Sequence, residues 1–421
     1  MGKLLHFNGS VIRLIVLVLG LMCIPCGYSG SFSNQKISEV ERKLKQLSKH
    51  SIKAIKSEDG DIIDCIDIKK QPALGHPALK HHKVQMIPTY NATKESSAGT
   101  RTTSKTMTKV KQRTETEISQ IWQKSGTCSQ GTIPVRRIRK KDLLKVHSIE
   151  EYGRKKPSFS PYQNIDSSVQ QKNHSKAILF ALGYRYLGGK GDIIVFNPFV
   201  ETDDEYSTSQ VALINGAYNN YELVEAGWAV NPSVYGDRQT RLFAYWTVDG
   251  SIKTGCFDLT CPGFVQTSNE IALGAAINLK SIPADLTYQI TIYIYKDPYT
   301  NNWWLQYNEK NMGYWPAEIF SGMRSNAESV EWGGEVYSKR VGTRPHTATH
   351  MGSGQFPDRW FGTSGTVTRM RIKDNYPELK TPVYVETFSD EYYCYNARYV
   401  SDYVEDPEFY YGGPGRNPMC P

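Results

Sequence analysis

From Ser175 onward the chain is written in short apolar runs that repeatedly change face, and this pattern limits the fold more than any other feature. The clearest run, Gln289-Ile-Thr-Ile-Tyr-Ile-Tyr-Lys296, alternates strictly; Asp297-Pro-Tyr-Thr-Asn-Asn302 follows, then Trp303-Trp-Leu-Gln-Tyr307. Successive strand side chains point to opposite faces, so this reads as two half-buried strands joined by a hairpin loop of several residues. Runs over 176–183, 192–200, 222–230 and 240–249 have the same Val, Ile, Tyr, Phe and Trp bias and are closed by turn residues. Helical periodicity of useful length is absent. Many short strands in succession predict an all-β domain, a two-sheet antiparallel β-sandwich of jelly-roll type.

Upstream the texture differs. Lys3 and Arg13, the apolar run over 11–24 and the small residues Gly27, Ser29 and Gly30 predict a removable signal peptide over 1–30. Its apolar core is shorter than the roughly 20 residues that span a bilayer, so no stable membrane anchor is expected. Residues 31–165 carry 27 Lys and Arg against 13 Asp and Glu, whereas 166–421 carry 21 against 29. A basic pro-segment and an acidic domain attract each other, so the natural partner of the first is the second rather than nucleic acid. The expected organisation is signal peptide 1–30, a small mixed α/β pro-segment 31–165 and an all-β domain 166–421.

Within the pro-segment, Ile37, Val40, Leu44 and Leu47 predict an amphipathic helix over 36–50. Asp59-Gly-Asp-Ile-Ile-Asp-Cys-Ile-Asp-Ile68 lacks EF-hand spacing and reads as a strand beginning at a turn. Residues 90–118 are too poor in large apolar groups to order alone and read as a flexible linker. A second compact piece follows over 119–150. Arg154-Lys-Lys-Pro-Ser-Phe-Ser-Pro161 reads as an exposed basic joint where processing is expected.

Outside the signal, six cysteines remain, an even number suited to an oxidising compartment. Local pairing gives Cys65–Cys128, Cys256–Cys261 and Cys394–Cys420. A zinc site needs four converging ligands, and the C-x4-C pair brings no nearby histidine pair, so no metal or other cofactor is expected. The sequons at Asn91 and Asn173 predict surface loops glycosylated during secretion.

Nucleophile chemistry has little to work with. There is no G-x-S-x-G elbow, every mature cysteine is accounted for by pairing, and His346 and His350 lack the glutamate of H-E-x-x-H. The clusters Gly188-Gly-Lys-Gly191 and Gly412-Gly-Pro-Gly415 match no phosphate loop and read as turns. Carboxylates remain. Glu225 in Glu222-Leu-Val-Glu-Ala-Gly-Trp228 and Glu335 in Trp332-Gly-Gly-Glu335 stand inside apolar strand patterns, where a charge is costly unless paired or protonated.

Several separate motifs carry a family resemblance. Asp59-Gly-Asp-Ile-Ile-Asp-Cys-Ile-Asp and Gln71-Pro-Ala-Leu-Gly-His-Pro-Ala-Leu-Lys80 resemble the activation segment of the plant neprosin family. Glu225-Ala-Gly-Trp-Ala-Val-Asn-Pro232, Tyr235-Gly-Asp237, Arg241-Leu-Phe-Ala-Tyr-Trp246, Gly255-Cys-Phe-Asp-Leu-Thr-Cys-Pro-Gly-Phe-Val-Gln266 and Trp332-Gly-Gly-Glu335 resemble its catalytic domain. The resemblance implies a secreted glutamic peptidase, made as a zymogen, that cleaves after proline in acid. Its catalytic pair maps onto Glu225 and Glu335, and Trp228, Tyr235, Trp332 and His350 are expected to line the substrate cleft; His350 stands where a Gln is expected. The implied substrates are proline-containing peptides or proteins, and the implied location is extracellular, in the apoplast or cell wall, or an acidic lumen. Two other readings fit the residues alone. One is a paired-carboxylate glycoside hydrolase; the other is a non-catalytic wall or carbohydrate-binding protein.

Overall fold

Two antiparallel sheets lie face to face in the computed structural model, which describes residues 34–48, 50–90, 119–146, 148–157, 173–216, 220–279, 287–359 and 361–421. The predicted signal peptide, residues 91–118 of the linker and with them Asn91 fall outside these residues. Among the described residues no helix is long and apolar enough to cross a membrane. The activation region contributes α1 (Asn34–Ser48), β1 (Ser51–Lys56), β2 (Ile62–Asp67), β3 (Thr132–Arg136) and α2 (Lys140–Lys145). The predicted helix and the predicted turn-then-strand are both present, the turn closing at Gly60 with φ 86°.

The sandwich follows: β4 (His174–Tyr186), β5 (Gly188–Ile194), β6 (Tyr206–Asn215), β7 (Glu222–Val230), the short α3 (Pro232–Tyr235), β8 (Arg241–Thr247), β9 (Cys256–Phe257) and β10 (Val265–Gln266). It continues through β11 (Gln289–Lys296), β12 (Trp303–Tyr307), β13 (Lys310–Trp315), β14 (Ala327–Tyr337), β15 (Gly365–Lys373), β16 (Glu386–Ser389), β17 (Asn396–Val400) and β18 (Glu408–Gly412). One sheet runs β10-β13-β12-β11-β5-β15-β18-β17 and the other β16-β4-β14-β6-β7-β8-β9. Sequence-distant strands are neighbours in both, as in a double-sheet jelly roll. Val211, Leu213, Val224, Ala226, Trp228 and Leu242 meet Ile193, Ile290, Ile292, Ile294 and Leu305 in the core between the sheets. The β11–β12 hairpin forms as its alternation predicts, with Ile294 opposite Leu305.

The first glycine cluster differs from its reading as a turn: Gly188–Gly191 opens β5, deep inside the larger sheet. The cause is packing. A Cβ on Gly189 would lie 2.5 Å from Val330 Cγ1, and one on Gly191 would lie 3.0 Å from Trp332 Cδ1. Glycine here lets the opposite sheet's Trp332 and Val330 press against the strand backbone.

The chain from Val40 to Pro421 is one compact unit, and the activation region grips the sandwich in two ways. Two glutamine side chains mimic a strand partner. Gln71 Nε2 donates to Gln266 O at 3.1 Å while Gln266 N donates to Gln71 Oε1 at 2.8 Å. Gln120 Nε2 donates to Ala272 O at 2.7 Å while Ala272 N donates back to Gln120 Oε1 at 2.8 Å. The second grip is ionic and runs against the net charges: Asp61 of the basic segment binds Arg241 of the acidic domain at 2.5 Å, together with Arg136 at 3.0 Å. All three are buried. Removing Asp61 leaves Arg241 with Asp237 and Arg136 with the Tyr235 carbonyl, so the cost is expected to fall below the roughly 3–5 kcal/mol of a stranded buried charge. Asp61→Asn is still expected to lower the urea midpoint of the precursor; an unchanged midpoint would show that the pair carries none of the interface.

The three disulfides are Cys65–Cys128, Cys256–Cys261 and Cys394–Cys420. The first ties the two compact pieces of the activation region across the linker. The third ties the turn after β16 to the C-terminus.

Candidate active site

Alternate residues of β7, β6 and β14 point away from the inter-sheet core, and on that outer face the register sets a small grid. Glu225 is level with Ala212, Glu335 is level with Thr208, and the row between them is Gly227, Gln210 and Gly333. The two glutamates occupy opposite corners of this patch, and both are buried, at 2% and 3% exposure.

Residues 149–157 of the activation region cover the patch. Tyr152 Oη donates to Val234 O at 2.6 Å, Phe257 N donates to Gly153 O at 2.7 Å and Lys155 N donates to Tyr245 Oη at 3.3 Å. These bonds aim the Lys155 side chain inward. Its Nζ lies 2.5 Å from Glu225 Oε1 and 3.1 Å from Glu335 Oε2, so one ammonium bridges both carboxylates. The rings of Tyr245, Tyr206 and Phe257 surround it at 5.3, 5.7 and 5.9 Å. The joint around Lys155, read as exposed, is thus only partly so: Lys156 and Pro157 are exposed, but Lys155 is buried. A lysine stem is long enough to carry its charge into a carboxylate pair while its neighbours stay in water.

The two glutamates differ in their other partners. Glu335 Oε1 accepts from His174 Nδ1 at 2.8 Å and from Tyr206 Oη at 2.7 Å. Lys176 stands level with Glu335 on β4 and pairs with Glu331 at 3.3 Å. Burial opposes ionisation of Glu335, but the Lys155 charge and the His174 hydrogen bond outweigh it and hold the carboxyl well below its usual range. Burial pushes Glu225 the other way, above the usual range; Lys155 resists this and the Glu335 charge adds to it. The two carboxyls are thus pushed in opposite directions, Glu335 toward its anion and Glu225 toward its acid form.

Of the four aromatic and histidine residues expected in the cleft, the two tryptophans lie on the opposite face of the sheet, whereas Tyr235 packs with Tyr245 and Phe257 on the face that bears the glutamates. Trp228 and Trp332 are in the inter-sheet core, donating through Nε1 to Ile194 O at 3.0 Å and Lys190 O at 2.9 Å on the opposite sheet. Each is three residues from its glutamate, and an odd spacing on a strand reverses the face. Tyr235 is buried under the activation region: its hydroxyl donates to Asp258 at 2.9 Å and its carbonyl accepts from Arg136 and Arg139. Burial pushes Asp258 up to about 7. His350 packs edge-on against Phe199 at 5.6 Å. The groups that do surround the glutamates, His174, Lys176, Tyr206, Tyr245 and Lys155, are not singled out by the sequence. Strand parity on β6 and β8 is the one signal that could have found Tyr206 and Tyr245.

Asn173, the second sequon, is half-buried beside His174, with its carbonyl accepting from Ser338 N at 2.9 Å. Among the described residues, the one grouping of side chains with metal-ligand chemistry is His346, Cys394 and Cys420, and its two sulfurs are joined in a disulfide.

Among solved structures, two crystal structures of scytalido-glutamic peptidase with transition state analogues resemble this chain, at 8% and 9% identity. They cover 58% and 57% of it and 98% of their own length, with TM-scores of 0.30. SCP-B, a member of the Eqolisin family of peptidases in complex with the tripeptide Ala-Ile-His, is 9% identical over 58% of this chain and 98% of its own, with a TM-score of 0.28. The family model for the neprosin activation peptide matches residues 54–180, and the model for neprosin itself matches residues 203–414. With those two regions accounting for the activation segment and for the strands that bear Glu225 and Glu335, the chain belongs to the neprosin family.

Proposed function

We propose that this protein is the latent precursor of a secreted glutamic endopeptidase that works in acid, cleaving on the C-terminal side of proline, with residues 166–421 as its catalytic domain. The observation that carries this reading is the unequal pair of buried glutamates bridged by Lys155 of the activation region.

In the mature enzyme Lys155 is gone, and a substrate peptide takes its place between the glutamates. Glu335, ionised, removes a proton from a water as its oxygen attacks the scissile carbonyl carbon. Glu225, protonated, hydrogen-bonds to the carbonyl oxygen and supplies a proton as the C–N bond breaks, so that amine and carboxylic acid leave. Loss of Lys155 removes the cation that resisted the rise of Glu225, so the acid form of Glu225 extends to higher pH. Glu335 keeps His174 and Tyr206, which favour its anion. Activity is expected to persist into acid and to fall as pH rises through the range of Glu225.

Latency follows from the same contacts. Docking of Lys155 lowers the proton affinity of both carboxylates, so docking is strongest above their undocked ranges and weakens as pH falls through the docked ones. The Gln71 and Gln120 clasps do not titrate, so acid loosens the cover over the glutamates without dissolving the whole interface. Cleavage of the chain completes activation. Pro157, exposed two residues beyond Lys155, and Pro161, outside the described residues, are sites where the enzyme would cut itself. A precursor with both prolines replaced is expected to mature more slowly in acid; an unaltered rate would remove them as processing sites.

Specificity is tested by incubating the acid-activated protein with a peptide library and locating the cut bonds by mass spectrometry. Cuts concentrated after proline are expected, and cuts distributed without regard to proline would refute that part of the reading.

A further inference from the structure

We propose that Gln210 is a third catalytic side chain, a carboxamide that hydrogen-bonds to the oxygen of the scissile carbonyl as negative charge develops on it; this rests on the peptidase reading above. Gln210 is 2% exposed, and its Oε1 has no hydrogen-bond partner. A buried amide left unpaired costs about 1–3 kcal/mol, so a sheet face has little reason to carry one unless something else comes to pair with it.

Its position gives the reason. Gln210 sits in the row between those of Glu225 and Glu335, on the strand between theirs. Its cross-strand neighbours on both sides are glycines. A Cβ on Gly227 would fall 1.9 Å from Ser209 O, and one on Gly333 would fall 2.4 Å from Ala177 O. The backbones thus hold both flanks bare, and the carboxamide stands in the middle of the floor that the activation region covers in the precursor. The Lys155 ammonium, touching both glutamates, crosses this same diagonal in the precursor.

When water adds to the scissile carbon, the carbonyl π pair moves onto oxygen while Glu335 takes the water proton. A preorganised N–H donor aimed at that oxygen favours the charged state over the ground state, and removal of one such donor typically lowers kcat by about 10²–10³. The unpaired Oε1 leaves the amide free to turn its Nε2 toward the cleft about a soft terminal torsion. The charged and titratable groups around it are Glu225 on β7, Glu331 and Glu335 on β14, His174 and Lys176 on β4, Tyr206 on β6, Tyr245 on β8, and Lys155 in the precursor.

The test uses the secreted full-length protein after acid processing, with a proline-containing peptide as substrate. Gln210→Ala is expected to lose about 100-fold in kcat, with KM within about threefold of the parent. Gln210→Glu, close in shape and a donor when protonated, is expected to regain at least tenfold over Gln210→Ala at the acid end, and to lose that gain as pH rises. A purely structural role would not produce this pH-dependent recovery. A Gln210→Ala kcat within threefold of the parent, or a Gln210→Glu variant that tracks Gln210→Ala at every pH, would overturn the role. Absence of peptide hydrolysis by the parent protein would remove the peptidase reading and this role with it, whereas an active parent with an indifferent Gln210→Ala removes Gln210 alone.

Discussion

Lys155→Met in the full-length precursor is expected to break latency, with processing on the C-terminal side of residue 155 at least about tenfold faster than in the parent at mildly acidic pH. The methionine keeps the length and the apolar stem of the side chain, so the rings of Tyr206, Tyr245 and Phe257 remain packed. What goes is the ammonium between two buried carboxylates. Deleting one side of such a cluster leaves the other buried and unpaired, at a cost of about 3–5 kcal/mol. Part of that is recovered when Glu225 binds a proton, because the more distant Lys176 charge then opposes the upward push of burial without the help of Lys155. The remainder favours opening of the cover over the glutamates. Lys155→Arg, which keeps the charge, is expected to retain much of the latency. The readout is the mass of the chain with time at several pH values, and a Lys155→Met precursor that stays intact wherever the parent does would show that the lysine is a bystander.

The second large effect is on catalysis. In the proposed mechanism Glu335→Gln removes the base that activates water, and Glu225→Gln removes the proton donor. Positioned acid or base groups typically contribute about 10²–10⁴ in rate, and the two act in one step, so each single variant is expected to lose at least about 10³ in kcat. The double variant should lose little more, because the effects of groups that act as a unit are not additive. The folds should survive, since Gln preserves shape and each glutamate lies on an inner strand of the seven-stranded sheet. Thermal midpoints close to that of the parent would show this, and activity retained in either variant would exclude that residue from the chemistry.

The contrast between what the sequence revealed and what it concealed has a physical basis. Strand alternation is local, so the β11–β12 hairpin and the sandwich class were legible from Gln289–Tyr307 and its companions. Glu225 and Glu335 stood out because a carboxylate in an apolar run signals a cost that something must offset. The tryptophans beside them do not share their environment, because nearness along the chain is not nearness in space and three positions along a strand put Trp228 and Glu225 on opposite faces. Gly188–Gly191 looked like a turn because what requires glycine there, the side chains of Val330 and Trp332, comes from a strand far along the chain. Lys155 was hidden for the same reason. Its neighbours Arg154, Lys156 and Pro157 give surface signals, and the carboxylates that draw it inward lie on β7 and β14. The charge imbalance between the halves pointed to mutual attraction, but the buried Asp61–Arg241 pair, with the opposite polarity, could only come from the fold.

The central claim is that Glu225 and Glu335 form the working pair of an acid peptidase, and the most direct measurement is the pH profile of proline-peptide hydrolysis by the processed protein, run beside Glu225→Gln and Glu335→Gln. The account predicts hydrolysis at pH near 3–4 that declines as the pH rises through the range where Glu225 gives up its proton, and no comparable hydrolysis by either variant. Hydrolysis that grows toward neutral pH, or that survives in both variants, would contradict it.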